Sequence, residues 1–168
     1  MNLCVTTQAT QLLAEYSADH QNPFNRLMHS ICVPLIAIAL IGLLWAIPVP
    51  AIPVPEALAA AGPWANLGTA ALAGLTVYYL RLAPRLGFSF GMLLAALLLL
   101  PMLASIDQLP VPLWLTALVV FTLGWIGQFI GHYVEGHRPS FFRDLRFVLV
   151  GPLWVLAKLH AALGIRTV

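Results

Sequence analysis

Long apolar stretches separated by short polar segments dominate the chain. Four stretches without Asp, Glu, Lys or Arg are long enough for a helix that crosses a bilayer, which takes about 20 residues. The first stretch is shortened by prolines in the sequence IPVPAIPVP, which predict an extended connector, so its helix should end near Ile47. The predicted spans are about 29–47, 62–81, 87–106 and 111–132.

Two further helices are predicted outside these spans. The apolar run 147–157 is too short to cross a bilayer at about 1.5 Å per residue, so we interpret residues 145–160 as an interfacial or re-entrant helix. Residues 7–16 are typical of a short surface helix, and the N-terminus lacks the pattern of a signal peptide. The chain is therefore predicted to be an all-α, multi-pass membrane helical bundle, one integral-membrane domain over residues 1–168.

Composition and charge agree with a membrane protein. Hydrophobic residues make up 61% of the chain and charged residues 8%, whereas soluble domains are about a quarter charged. This excludes an ordinary water-soluble domain and a disordered chain, and a net charge of +2 does not indicate nucleic-acid binding. When the four spans are traced, all 8 Lys and Arg fall on the side of both termini, which predicts cytoplasmic termini in a bacterial inner membrane or the endoplasmic reticulum.

The histidines collect on the same side of the predicted bundle. His20 and His29 flank the start of the first span, where Asn22 followed by Pro23 predicts a helix N-cap and first turn. On one continuous helix these two histidines would point in opposite directions. The break at Asn22 lets the chain turn, so that both imidazoles can converge.

A second polar cluster lies at the end of the fourth span. Gln128, His132 and Glu135 would share one helix face if the helix continues that far. Gly136 is expected to end the helix. Small residues before and within this cluster would let a neighbouring helix approach closely: Gly124, Gly127 and Gly131.

Together the clusters could bind a first-row metal ion. Nitrogen and oxygen donors without thiolates suit Fe(II), Mn or Zn, and the spacing does not select among them. The candidate ligands are His20, His29, His132 and His137, with Glu135 as an alternative to His137. Simpler interpretations stay open: interfacial histidines can bind lipid headgroups, Glu135 can pair with Arg26 or Arg138, and His160 is more typical of a structural residue.

Two sequence blocks resemble a known family. HQNPFNRLMHSICVPL and, about a hundred residues later, QFIGHYVEGHRPSFFRDLRFVLVGPLWVLAKL resemble the membrane family of iron-dependent 2-hydroxy fatty acid dioxygenases, known from fungal phytosphingosine breakdown. The resemblance covers about residues 12–160. It implies an Fe(II) enzyme that uses O₂ to convert a 2-hydroxy fatty acid into CO₂ and the fatty acid one carbon shorter. By position in the motifs, it assigns iron binding to His20, His29 and His132.

The resemblance completes a mechanistic hypothesis. Iron bound by these histidines, with His137 or Glu135, would be chelated by the substrate's carboxylate and 2-hydroxyl, while the alkyl chain lies among the apolar helices. Arg26 or Arg138 would bind the carboxylate. Asn25 and Gln128 would orient the imidazoles. The expected partners are the 2-hydroxy fatty acid, O₂ and membrane lipid.

Two other functional classes remain as alternatives. One is a different histidine-ligated membrane metalloenzyme acting on lipid, such as a zinc hydrolase or a di-iron hydroxylase, although the latter usually needs more than the 5 histidines present. The other is a non-enzymatic lipid-binding bundle, which predicts no stoichiometric metal. The absence of charged residues inside the predicted spans argues against an ion transporter.

Overall fold

All regular secondary structure in the described part of the protein is helical. The computed structural model describes residues 3–47, 65–103, 111–136, 138 and 146–165. Six helices follow one another in this order: α1 Leu3–Ala18, α2 Pro23–Trp45, α3 Leu67–Leu82, α4 Pro84–Leu103, α5 Leu113–Glu135 and α6 Arg146–Ala162. The all-α prediction is thereby confirmed for these residues.

The predicted break before α2 is present. Asn22 adopts an extended conformation, and its side chain accepts a hydrogen bond of 2.8 Å from the backbone N–H of Phe24. Pro23 occupies the first helical position, where a missing N–H costs nothing. α1 ends at Ala18, so residues 19–22 form a tight turn between two helices.

Among the described helices, the antiparallel pair α2 and α5 has the most extensive contact. Glycines on α5 permit this approach: added β-carbons would lie 2.7 Å from Ile36 at Gly124 and 2.6 Å from the Cys32 sulfur at Gly127. A β-carbon at Gly131 would overlap the Asn25 side-chain oxygen. The prediction that these glycines face a neighbouring helix is confirmed.

The other helices pack around one side of this pair. α3 and α4 form a hairpin and α3 also contacts α2, while α6 contacts α1, α2 and α4. A core of buried side chains joins α1, α3, α4 and α6, with Tyr79, Leu86, Val150 and Leu153 among its most buried members. α1 also contributes buried residues to this core, so it is more than the short surface helix expected from residues 7–16.

Two of the described helices, α2 and α5, are long and apolar enough to cross a membrane. α2 begins at Pro23, before the predicted span, and α5 ends at Glu135, slightly beyond it. α3 has 16 residues, and parts of the predicted spans 62–81 and 87–106 lie outside the described residues, as does the proline-rich connector. The described structure therefore supports two candidate spans of the four predicted.

The exposed face of α2 is strongly apolar. Leu27, Ile31, Leu35 and Ile38 recur at helical spacing and are each at least 38% exposed. A continuous exposed apolar stripe is unfavourable in water and favourable against lipid tails. This stripe supports membrane association of the helix pair.

Candidate metal centre

The turn between α1 and α2 brings His20 and His29 together. His20 lies in the turn, and His29 lies on the second turn of α2. Their Nε2 atoms are 3.0 Å apart, and both side chains are buried. The predicted convergence of these two imidazoles is confirmed.

α5 supplies the third imidazole from a distant part of the sequence. The His132 ring centroid lies 5.1 Å from that of His20 and 4.9 Å from that of His29. One nitrogen from each of the three histidines lies within 4.8 Å of the others, so the group could hold a single metal ion. His132 is also buried.

Backbone carbonyls determine which nitrogen of His20 and His29 carries the proton. Nδ1 of His20 lies 2.5 Å from the Tyr16 carbonyl oxygen, and Nδ1 of His29 lies 3.0 Å from the Asn25 carbonyl oxygen. A carbonyl oxygen only accepts hydrogen bonds, so each Nδ1 must donate a proton. In the neutral rings both Nε2 atoms therefore present lone pairs to each other.

Two facing lone pairs at 3.0 Å repel unless a cation lies between them. Burial lowers the pKa of His20, against smaller opposing effects of the Tyr16 carbonyl and of Asp19 and Glu135. The neutral imidazole that a metal requires is thus favoured over imidazolium. His132 adds a buried Nδ1 that no described residue meets with a hydrogen bond. The donor set fits a metal ion.

Aromatic residues hold the His20 ring in place. The Tyr16 ring stacks on it at a centroid distance of 4.2 Å and an interplanar angle of 17°. The ring centroid of Trp154 of α6 lies 5.7 Å from that of the same imidazole. Trp154 Nε1 also donates a hydrogen bond of 2.8 Å to Ser17 Oγ. Nearby, Lys158 Nζ lies 3.0 Å from Ser30 Oγ, which joins α6 to α2.

Glu135 connects the end of α5 to the start of α2. Its carboxylate accepts hydrogen bonds of 3.0 Å from the backbone N–H groups of Gln21 and Asn22 and from the side-chain amide of Asn25. A carboxylate is favourable at a helix N-terminus, where backbone N–H groups are free. Among the described residues Glu135 is not part of the group that could hold the ion.

The remaining candidate residues occupy different surroundings. The Asn25 carbonyl orients His29, as the sequence hypothesis proposed for this residue, although through the backbone. Arg26 and Arg138 are exposed, and His137 lies outside the described residues. His160 is buried away from the other histidines, with Nε2 3.0 Å from Ser89 Oγ of α4.

A largely apolar cavity of about 120 Å³ extends from the three histidines. α2 contributes its longest wall, from His29 through Val33 and Ala37 to Ile41, a length of about 18 Å at ~1.5 Å per residue. Tyr16 of α1 and residues of α3, α4, α5 and α6 supply the other walls, and Gln128 lies beside His132. None of the described residues that line this cavity is an acid, lysine or arginine.

A known protein family matches this chain over most of its length. The family model described as 2-hydroxy-palmitic acid dioxygenase Mpo1-like matches residues 6–163. The chain belongs to the Mpo1-like family. Within it, the chain is similar to the 2-hydroxy-palmitic acid dioxygenase MPO1 of Saccharomyces cerevisiae, with 30% identity over 154 residues that cover 90% of this chain and 79% of the yeast protein. No solved structure matches the chain.

The resemblance inferred from two sequence blocks is therefore confirmed, and membership of this family supports a 2-hydroxy fatty acid dioxygenase function. Sequence reasoning missed Tyr16 and Trp154, which pack on the His20 ring of this Mpo1-like protein. Tyr16 precedes His20 by four residues, the spacing of side chains that meet on a helix, and this spacing could have indicated the contact although His20 lies just beyond the end of α1. Nothing local to Trp154 indicates that it meets α1.

Proposed function

We propose that the protein is an Fe(II)-dependent dioxygenase that converts a 2-hydroxy fatty acid and O₂ into the fatty acid one carbon shorter, CO₂ and water. The bond between C1 and C2 breaks, C2 becomes the new carboxyl carbon, and C1 leaves as CO₂. This is a four-electron oxidation of the substrate, and one O₂ accepts all four electrons. No additional reductant is required.

The observation that carries the proposal is the buried group of three imidazoles at one end of an apolar cavity. His20, His29 and His132 would hold the iron, which when bound supplies the redox chemistry for O₂. The Tyr16 and Asn25 carbonyls keep two of the rings in the tautomer with a free Nε2. Asn25 and Glu135 position the start of α2 relative to α5, and His137 remains a candidate for a further ligand.

The cavity is suited to an alkyl chain. Its wall along α2 is comparable in length to an extended long-chain acyl group, and each methylene buried in such surroundings contributes about 0.8 kcal/mol. The exposed apolar stripe on α2 would face lipid, which supplies substrates of this class. Arg26 is exposed on the first turn of α2 and does not line the cavity. Its role would therefore be to attract the substrate's carboxylate at the membrane surface.

The topology proposed with this function has both termini and the metal centre on the cytoplasmic side. All 8 Lys and Arg of the chain fall on one side when four spans are traced. A cysteine-accessibility measurement in intact cells would test it. Labelling of a cysteine introduced near the C-terminus by an impermeant reagent applied from outside would contradict the proposed orientation.

The function itself is tested with purified protein in detergent. We expect about one iron per chain after Fe(II) loading and O₂-dependent formation of pentadecanoate from 2-hydroxypalmitate. His29→Ala and His132→Ala should lose both iron and activity, whereas His160→Gln, a substitution of a buried histidine outside the group, should keep the iron. Full turnover by either alanine variant, or stoichiometric zinc that supports no oxidation, would refute the proposal.

A further inference from the structure

Gln128 is a buried polar residue at the wall of the cavity. It lies on α5 one turn before His132, and its side chain is only 5% exposed. Its Nε2 is buried and has no hydrogen-bond partner among the described residues. Buried amide donors without an acceptor are rare in native proteins because their desolvation is not compensated.

The nearby histidine does not satisfy this amide. The sequence predicts an orienting hydrogen bond from Gln128 to an imidazole, but in the described part of the chain neither Gln128 Nε2 nor His132 Nδ1 has a partner. The Tyr79 hydroxyl, another polar group at the cavity wall, already donates to the Leu149 carbonyl. None of the described residues therefore accepts a hydrogen bond from the Gln128 side-chain N–H, which belongs to the cavity wall beside the three histidines.

We infer that Gln128 binds the carboxylate of the substrate, with its side-chain N–H donating to a carboxylate oxygen. This inference rests on the proposed function and identifies the residue that recognises the acid group. The described cavity wall contains no lysine or arginine that could serve instead. A carboxylate accepts hydrogen bonds strongly, and an uncharged donor can bind it without a permanent buried charge in the empty cavity.

The assignment determines how the substrate lies. With the carboxylate between Gln128 and the histidines, the 2-hydroxyl falls on the side of the metal centre. The alkyl chain then points along the α2 wall towards Ile41. Because the contact is to the carboxylate, acids with and without the 2-hydroxyl should depend on Gln128 to the same degree.

The test is a binding measurement without turnover. Iron-loaded protein in detergent is titrated anaerobically with palmitate and with 2-hydroxypalmitate, and Kd is measured for wild type, Gln128→Met and Gln128→Glu. Gln128→Met, which keeps the side-chain size but lacks the donor, should raise Kd about tenfold for both acids, as expected for a hydrogen bond to a charged group. Gln128→Glu should raise it further, because two carboxylates repel.

Controls separate this contact from a structural role. Gln11→Met, at an exposed position of α1, should leave Kd unchanged, and iron content and melting temperature should be close to wild type in every variant used. Kd values within twofold of wild type in both Gln128 variants, or tighter binding by Gln128→Glu, would overturn the inference. If wild type binds both acids but turns over neither, the proposed function fails while the carboxylate contact remains measurable.

Discussion

Adding a methyl group at Gly131 should push α2 and α5 apart at the level of the histidines. The new β-carbon would overlap the Asn25 side-chain oxygen and lie 3.2 Å from the Met28 β-carbon. Asn25 cannot withdraw freely, because its carbonyl accepts from His29 and its amide donates to Glu135. Relief of the overlap must therefore move the backbone that positions His29.

The magnitude follows from a comparison with a second glycine. Gly74 lies in the interior of α3, and a β-carbon there meets nothing within 4 Å. Both Gly→Ala changes gain about 1 kcal/mol of helix propensity, so this gain cancels between them. The difference between the two variants is then the overpacking at Gly131, about 1–3 kcal/mol.

Thermal unfolding of the two purified variants measures this difference. At roughly 2–4 °C per kcal/mol for a chain of this size, Gly131→Ala should melt about 2–12 °C below Gly74→Ala. Displacement of the group that orients His29 should also weaken iron binding, by about 10-fold to 100-fold. Equal melting temperatures and equal iron affinities in the two variants would show that α2 and α5 do not meet as described.

Three further predictions concern the site and its surroundings. Glu135→Gln should lower the free energy of unfolding by about 1–2 kcal/mol, because the start of α2 loses a partly exposed carboxylate that accepts its N–H groups. Glu15→Gln, at an exposed position of α1, should leave the stability unchanged. Equal stability of the two variants in thermal melts would contradict the capping role of Glu135. Ala37→Phe should narrow the cavity and shift turnover towards shorter 2-hydroxy acids, whereas Ala73→Phe on the exposed face of α3 should leave the chain-length preference unchanged. A chain-length preference identical to wild type in Ala37→Phe would show that the alkyl chain does not bind in this cavity. Because burial lowers the pKa of His20, the unfolded chain binds the proton at a higher pH than the folded chain does. The stability of the metal-free protein should therefore fall as the pH drops below about 6.5. A melting temperature that does not change between pH 7.5 and 5.5, or a dependence of melting temperature on pH that is unchanged in His20→Gln, would contradict the lowered pKa.

Local sequence signals predicted the parts of the site that depend on neighbouring residues. Asn22 and Pro23 indicated a helix start, and that start made convergence of His20 and His29 possible. These predictions succeeded because capping and helix periodicity are determined within a few residues. The two sequence blocks also identified the family before any geometry was known.

The role of Glu135, in contrast, could not be predicted from neighbouring residues. Its spacing from His132 placed both on one face of α5, and this suggested a metal ligand or an ion pair with arginine. In the structure its carboxylate instead accepts hydrogen bonds from the backbone N–H groups just before α2. The choice depends on how far α5 extends past α2, which no local pattern specifies.

Residue patterns alone specify the apolar helices, the break before α2 and the glycine face of α5, because each arises from interactions within one or two helical turns. Helix packing, in contrast, brings His132 to His20 and His29, places Glu135 at the start of α2, and makes Gln128 part of a cavity that the five other described helices also line. These features depend on contacts between residues more than a hundred positions apart. The spacing of residues along a helix predicts which side chains share a face, but the packing of one helix on another determines which residues that face contacts.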